Sequence, residues 1–194
     1  MPRFSIIGVD YEKSINRDRF RESLESLSNQ TFKDFELIIC HDGPKETPYN
    51  EEVNFEELEL NPVILNTPER MDLWGHPSRK LGMENATGEF FLVFNLDNLL
   101  YPNCLEILDN AFNFVEERIL IFNITTHHRN NTVLRGIPPV WCNIDAMQLV
   151  AHRDIWESVG WWYRNEFTSD GLIYEDMCQK FPWLEVPQVL GEHR

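Results

Sequence analysis

The stretch Phe90-Phe91-Leu92-Val93-Phe94-Asn95-Leu96-Asp97-Asn98 decides how the rest of the chain is read. Phe90 to Phe94 is apolar at every position, so a strand built from it shows nothing polar on either face. That is the pattern of a central strand covered by helices on both sides. The run ends on Asn95-x-Asp97-Asn98. In open α/β sheets, ligands bind in the crevice beyond the carboxyl ends of the strands. Polar groups at this position therefore mark a candidate site.

The flanking segments repeat the pattern. Phe4–Val9 and Phe35–Cys40 are strand-length apolar runs that stop at Asp10-Tyr11 and Asp42. Phe20, Leu24 and Leu27 recur at helical spacing between them, with Asn16 as the cap. Asp42-Gly43-Pro44 is a turn signal. Val63–Leu65 makes a third short strand, and Glu51–Glu59 a solvated helix or loop. Pro102 opens a helix whose stripe is Leu105, Leu108, Phe112 and Val115. Ile119–Ile124 is a further strand. Strand, helix and strand in alternation predict a parallel sheet joined by right-handed crossovers.

Beyond Thr125 the pattern loosens. His127 to Asn131 reads as a hairpin or loop, Pro138-Pro139 breaks regular structure, and the tryptophans become dense. A last helix is expected from about Ser169 to before Pro182. The expected organisation is a single α/β domain over 1–194, with a nucleotide-binding half, 1–125, and an acceptor-binding half, 126–194.

Composition narrows the partners. A chain of 194 residues builds one well-buried domain. Its net charge of −15 argues against nucleic acid and anionic membrane surfaces, which are bound through Lys and Arg. An acidic chain can still take a nucleotide diphosphate if a divalent cation bridges them. The four cysteines form no C-x-x-C pair and read as reduced residues. No apolar run approaches the ~18 residues of a membrane span, and, with Phe4–Val9 read as a strand, no signal segment is expected at the N-terminus. The expected compartment is cytoplasmic.

Several segments, taken in order, resemble family 2 glycosyltransferases of the GT-A fold. They are Ser5-Ile6-Ile7 with Tyr11, Ser28 to Ile38, Asp42-Gly43, Ser78 to Gly82, Ala86 to Phe90, Asn95 to Asn98, Val159-Gly160-Trp161, Glu175-Asp176 and Gly191 to Arg194. The resemblance implies a Rossmann-like, mostly parallel sheet flanked by helices. It also implies inverting transfer of a sugar from a nucleotide diphosphate donor, usually UDP-linked, to a hydroxyl of a glycan or other acceptor. Tyr11 would stack on the base, Asp42 would bond the uracil, and Arg79 would lie near the phosphates or the base. Asp97, with Asn95 or Asn98, would occupy the metal motif for Mn²⁺ or Mg²⁺. His193 would be a further ligand, and Asp176 the catalytic base.

The chemistry of the residues agrees with that expectation. A departing diphosphate needs its charge neutralised, which a cation and an arginine do. Inversion needs one carboxylate to take the acceptor's proton. Asp176 falls at the edge of the stripe Ile173, Met177, Phe181, whereas Glu175 points further away, so Asp176 is the expected base. Trp161 and Trp162, with Glu175, are placed toward the acceptor. Asp10 is either a base or ribose contact or a turn residue. Asn95 and Asn98 depart from the family's carboxylates and bring no charge to a metal. A nucleotidyltransferase and a non-catalytic nucleotide-sugar or glycan-binding module are the alternatives. The former would carry a Gly-rich basic loop where this chain has Val9-Asp10-Tyr11-Glu12.

Overall fold

The computed structural model describes residues 1–11, 15–127 and 130–194. The strand read first is β4, Phe90–Asn95, and its two faces feed two separate cores. Phe90, Leu92 and Phe94 point into one, with Phe20, Leu24 and Leu27 of α1 (Arg17–Ser28) and Leu105, Leu108 and Phe112 of α4 (Cys104–Phe114). Phe91 and Val93 point into the other. There they meet Met83 of α3 (His76–Asn85), Ile155 and Trp156 of α5 (Arg153–Val159), and Ile173, Tyr174 and Met177 of α6 (Ser169–Lys180). All five apolar positions are at most 5% exposed, as a strand covered on both sides requires.

Parallel pairing joins β3 (Val63–Asn66), β2 (Phe35–His41), β1 (Phe4–Asp10) and β4 in that order. In register, Val9 lies opposite Asn95 and Asp10 opposite His41, so these strands end together on one edge. Asn16 caps α1 as expected, its side chain accepting from the amides of Asp18 and Arg19, and one short turn, α2 (Tyr49–Glu52), lies between β2 and β3. Pro102 lies in the turn ahead of α4, and α6 ends before Pro182.

The far half of the sheet is not a simple continuation. The expected strand β6 (Ile119–Thr126) is separated from β4 by β8 (Leu149–His152), which runs antiparallel to both. The short β7 (Thr132–Leu134) pairs back on β6, completing a hairpin in which His128 and Arg129 lie outside the described residues. The long β9 (Leu184–His193) then lies parallel to β6 and pairs with the two-residue β5 (Leu99–Leu100). Irregular register around Asn123 accommodates Pro187 in β9, where the Asn123 amide donates to the Pro187 carbonyl at 2.8 Å. This strand carries His193 to a position opposite Thr126, beside the strand ends of the first half. Most paired residues of the sheet are parallel, and the cysteines are free. Among the described residues no helix is long and apolar enough to cross a membrane.

Candidate active site

The strand ends open into a cavity of about 640 Å³, a volume suited to a small-molecule ligand. Tyr11 follows β1, Asp42 follows β2, Asn95 ends β4, and all three line it with Arg79 of α3. Asp145, Asp170 and His193 line it from the second half.

Arg79 is buried yet held in detail. Nη1 donates to the Trp74 carbonyl at 2.6 Å and faces His76 Nδ1 at 3.1 Å, while Nη2 donates to Asn95 Oδ1 at 2.7 Å. Its guanidinium also lies 5.1 Å from the Trp162 ring centroid, a cation–π contact. A guanidinium fixed this way is a preorganised anion site. Asn95, expected beside the metal, spends its amide oxygen on Arg79.

His76 Nδ1 also accepts from Trp162 Nε1 at 2.9 Å. Two donors converge on one ring nitrogen, so that nitrogen is unprotonated. Burial, then the Arg79 charge, pushes the imidazole down to about 4. The unfolded chain therefore takes up a proton at His76 as pH falls through about 6.5, while the folded chain does not until about 4. Stability is fully present above the unfolded value and is lost across that window, by on the order of 3 kcal/mol. Urea unfolding at pH 7, 5.5 and 4 should show this loss, with a flatter profile for His76→Gln. Identical profiles for the two proteins would disprove the assignment.

Asp42 organises the loop over the cavity. Its oxygens accept from the amides of Met71 and Asp72 at 2.9 and 3.1 Å and face the Thr67 hydroxyl at 3.3 Å. The loop ends on Gly75, whose φ of +76° suits glycine, and a Cβ there would fall 1.7 Å from the Tyr11 hydroxyl. Burial pushes the Tyr11 phenol up to about 12, so the ring stays neutral.

The second half supplies an acid–imidazole cluster. His193 Nδ1 meets Asp145 Oδ2 at 2.5 Å, and Asp145 Oδ1 accepts from the Met147 amide at 3.1 Å. Burial alone would raise the Asp145 carboxyl, but the His193 hydrogen bond and charge hold it below its ordinary range. Burial alone would lower His193, and Asp145 holds it above. Burial pushes Asp170 up, and the Asp145 charge adds to this. Burial also raises Asp97, with the His193 charge pulling the other way. Among the described residues no group of three or more His, Cys, Asp or Glu side chains is placed to hold a metal ion.

Other expected site residues lie elsewhere. The Asp10 carboxylate is buried against Arg17 and the Tyr49 hydroxyl, each at 2.8 Å, on the α1 side of the sheet. It serves as an internal ion-pair partner, not as part of the cavity lining. Trp162 is 1% exposed and stacks on His76, and Trp161 stacks on Phe91. Neither lines the cavity: they follow the helix-ending Gly160, and Trp162 turns into the core while the partly exposed Trp161 packs against it. Glu175 accepts from the Trp141 amide at 3.3 Å.

Asp176 is outside the cavity lining, on a partly exposed face of α6. Its carboxylate accepts from the Tyr163 hydroxyl and, at 3.5 Å, from Arg164. The acid of α6 that does line the cavity is Asp170. The readable signal was helical spacing: Asp170, Ile173, Tyr174 and Met177 share one face, and the last three are fully buried. A carboxylate on an apolar stripe is the anomaly. Asp145 had only a weaker signal, the Asp-x-x-Gln box in which Gln148 accepts from the Asp145 amide.

The model of "Glycosyl transferase family 2" matches residues 11–169. An uncharacterized glycosyltransferase of Rickettsia conorii is 28% identical over 116 residues, 57% of this chain and 17% of the relative. Another, of Methanocaldococcus jannaschii, is 29% identical over 105 residues, 54% of this chain and 35% of the relative. The chain thus spans well under half the length of these relatives. Among solved structures, S. aureus TarS 1–349 superposes with a TM-score of 0.79 at 14% identity, covering 98% of this chain and 60% of that one. The same protein with UDP-GlcNAc gives 0.75 at 15% identity, covering 98% of this chain and 58% of that one. A mannosyltransferase of Pyrobaculum calidifontis, in complex with GDP-Man and Mn²⁺, gives 0.74 at 15% identity, covering 99% of this chain and 56% of that one. The fold is therefore that of GT-A glycosyltransferases.

Proposed function

We propose, for a chain that belongs to glycosyl transferase family 2, that it transfers a sugar with inversion from a UDP-sugar to an acceptor hydroxyl, with Asp170 as the base. Family membership makes it a glycosyltransferase; the donor, stereochemistry and base are the steps beyond. The observation that carries the reading is that one cavity holds both a fixed guanidinium, Arg79, and an α6 carboxylate raised by burial, Asp170. A base works best with its pKa moved toward the operating pH.

In a single displacement, the acceptor oxygen bonds to the anomeric carbon as the bond from that carbon to the phosphate oxygen breaks. The electron pair leaves with the diphosphate, and the acceptor proton passes to Asp170. Arg79 faces the charge that develops on the diphosphate, held by Asn95, His76 and Trp74. Tyr11 and Asp42, at the ends of adjacent strands, form the base side of the cavity, and Asp42 also latches the loop above it. The half 1–125 thus supplies the nucleotide contacts. The half 126–194 supplies Asp145, Asp170 and His193.

We place a divalent cation between His193, which lines the cavity, and Asp97, which does not line it but lies near enough for its charge to act on His193. The Asp97 carboxyl is disfavoured as an anion by burial and senses His193, which Asp145 orients through Nδ1. A carboxylate orienting an imidazole is the usual support of a metal-ligating histidine. Asp97 and His193 would hold the ion, with diphosphate oxygens completing its shell, as Mg²⁺ and Mn²⁺ sites often do. Bound there, the cation would neutralise the leaving diphosphate.

UDP with Mn²⁺ should raise the melting temperature, equivalent to about 2.7 kcal/mol at a concentration ~100 times the dissociation constant. The same nucleotide with EDTA should give a much smaller shift. Equal shifts would remove the cation, and a larger shift with GDP would replace the uridine assignment.

A further inference from the structure

The cavity mouth carries three large aromatic side chains left in solvent: Trp74 at 51% exposure, Trp141 at 50% and Phe167 at 71%. Trp74 and Phe167 meet edge to face with ring centroids 5.6 Å apart. Contiguous exposed apolar surface at a cavity is a mark of recognition, since folding alone would bury it.

The backbone is strained at Trp74 and just after Trp141. Trp74 has a φ of +49° and Cys142, next to Trp141, a φ of +62°. Bulky side chains rarely adopt this left-handed conformation, and it persists only where surroundings enforce it. At Trp74 the enforcement comes from Arg79, which binds its carbonyl, and from Asp42, which binds the two amides of Met71 and Asp72. At Trp141 it comes from Glu175, which binds its amide, and from Gly171, where a Cβ would approach the Trp141 Cα to 2.7 Å. Gly171 directly follows Asp170. The Trp141 backbone is thus anchored against the same turn of α6 that presents the base.

We infer that Trp74, Trp141 and Phe167 form the acceptor subsite and that the acceptor is an uncharged saccharide. This rests on the glycosyl transfer proposed above and names the substrate that enters opposite the donor. A pyranose offers an apolar C–H face to an aromatic ring while its hydroxyl edge stays with polar groups, and a hydroxyl turned inward from Trp141 reaches the Asp170 side of the cavity. Charge disfavours a polyanionic acceptor: in a chain of net charge −15 the cavity is lined by Asp42, Asp72, Asp145 and Asp170 against Arg70, Arg79 and His193. Arg70 and His193 pair with Asp72 and Asp145, and Arg79 is kept for the donor diphosphate.

The test uses the whole chain with two probe sets, uncharged oligosaccharides (gluco-, galacto-, manno- and N-acetylglucosamine types) and phosphate-bearing polyol oligomers. Binding is read by indole fluorescence without donor and by the acceptor KM with donor present. Phe167→Ala and Trp141→Ala should each weaken an uncharged saccharide roughly tenfold, the upper range for one aromatic contact. UDP affinity should stay unchanged. Tyr163→Ala, an exposed aromatic outside the cavity lining, should change neither. Overturning results are quenching only by the phosphate oligomers, no quenching by any uncharged saccharide, or equal saccharide affinity in wild type and both rim variants. Loss of nucleotide binding in the wild type would instead remove the glycosyl-transfer reading, because saccharide quenching is measured without donor.

Discussion

Asp170→Asn is expected to lower the turnover number by ~10²–10⁴-fold, the usual worth of a general base, while UDP affinity stays near that of the wild type. The amide has almost the same shape as the carboxylate and cannot take the acceptor's proton. Burial raises the Asp170 carboxyl, so the asparagine removes a strained charge and the variant should fold at least as stably. Asp176→Asn is the control. That carboxylate is bound to Tyr163 and Arg164 outside the cavity lining, so its loss should leave turnover close to wild type. Initial rates and UDP calorimetry on the two variants decide between them. A large rate loss in Asp176→Asn with none in Asp170→Asn would return the base to the position first read from the sequence.

The second large effect is expected at Asp97. Replacing it with alanine removes the carboxylate proposed to hold the cation. Loss of groups that merely support a metal ligand costs 10–100-fold in affinity, so loss of the ligand itself should cost more than ~100-fold. Mn²⁺ titration in the presence of UDP measures it. Asn95→Asp should leave Mn²⁺ affinity unchanged, because position 95 faces Arg79. It should instead alter UDP affinity, by turning a neutral hydrogen bond to the guanidinium into an ion pair that competes with the diphosphate. A 97-alanine variant that keeps its Mn²⁺ dependence would move the cation to another set of ligands.

The first half of the fold was readable in the sequence because its signals are local. Phe90–Phe94 is apolar on both faces, and that alone requires a covered central strand. The ends of β1, β2 and β4 then followed from the runs that stop at Asp10, Asp42 and Asn95, and the parallel register brings them level. Tyr11 and Asp42 were read by this route, Arg79 only through the family resemblance, and the three share one cavity. The reading failed where one local rule served two purposes. An acidic residue at a strand end faces the ligand or the other side of the sheet according to strand alternation, and Asp10 faces Arg17 and Tyr49.

What only the tertiary structure decided lies in the second half. Strand β8 enters antiparallel between β4 and β6, and β9 returns along β6, because long-range pairing leaves no periodic trace in a four-residue segment. Those pairings bring Asp145 and His193 together from positions far apart in the chain. Burial of Ile173, Tyr174 and Met177 in the second core, with the Tyr174 hydroxyl donating to the Ala146 carbonyl at 2.6 Å, sets the rotation of α6, which turns Asp170 toward the cavity and Asp176 toward Tyr163. A helix states its own periodicity in the sequence, but which point on its circumference meets the ligand depends on what packs against it. By itself the sequence determined a covered central strand and polar strand ends in an acidic chain; the packing of α6 and the return of β9 determined that Asp170 and His193 line the cavity those ends open into.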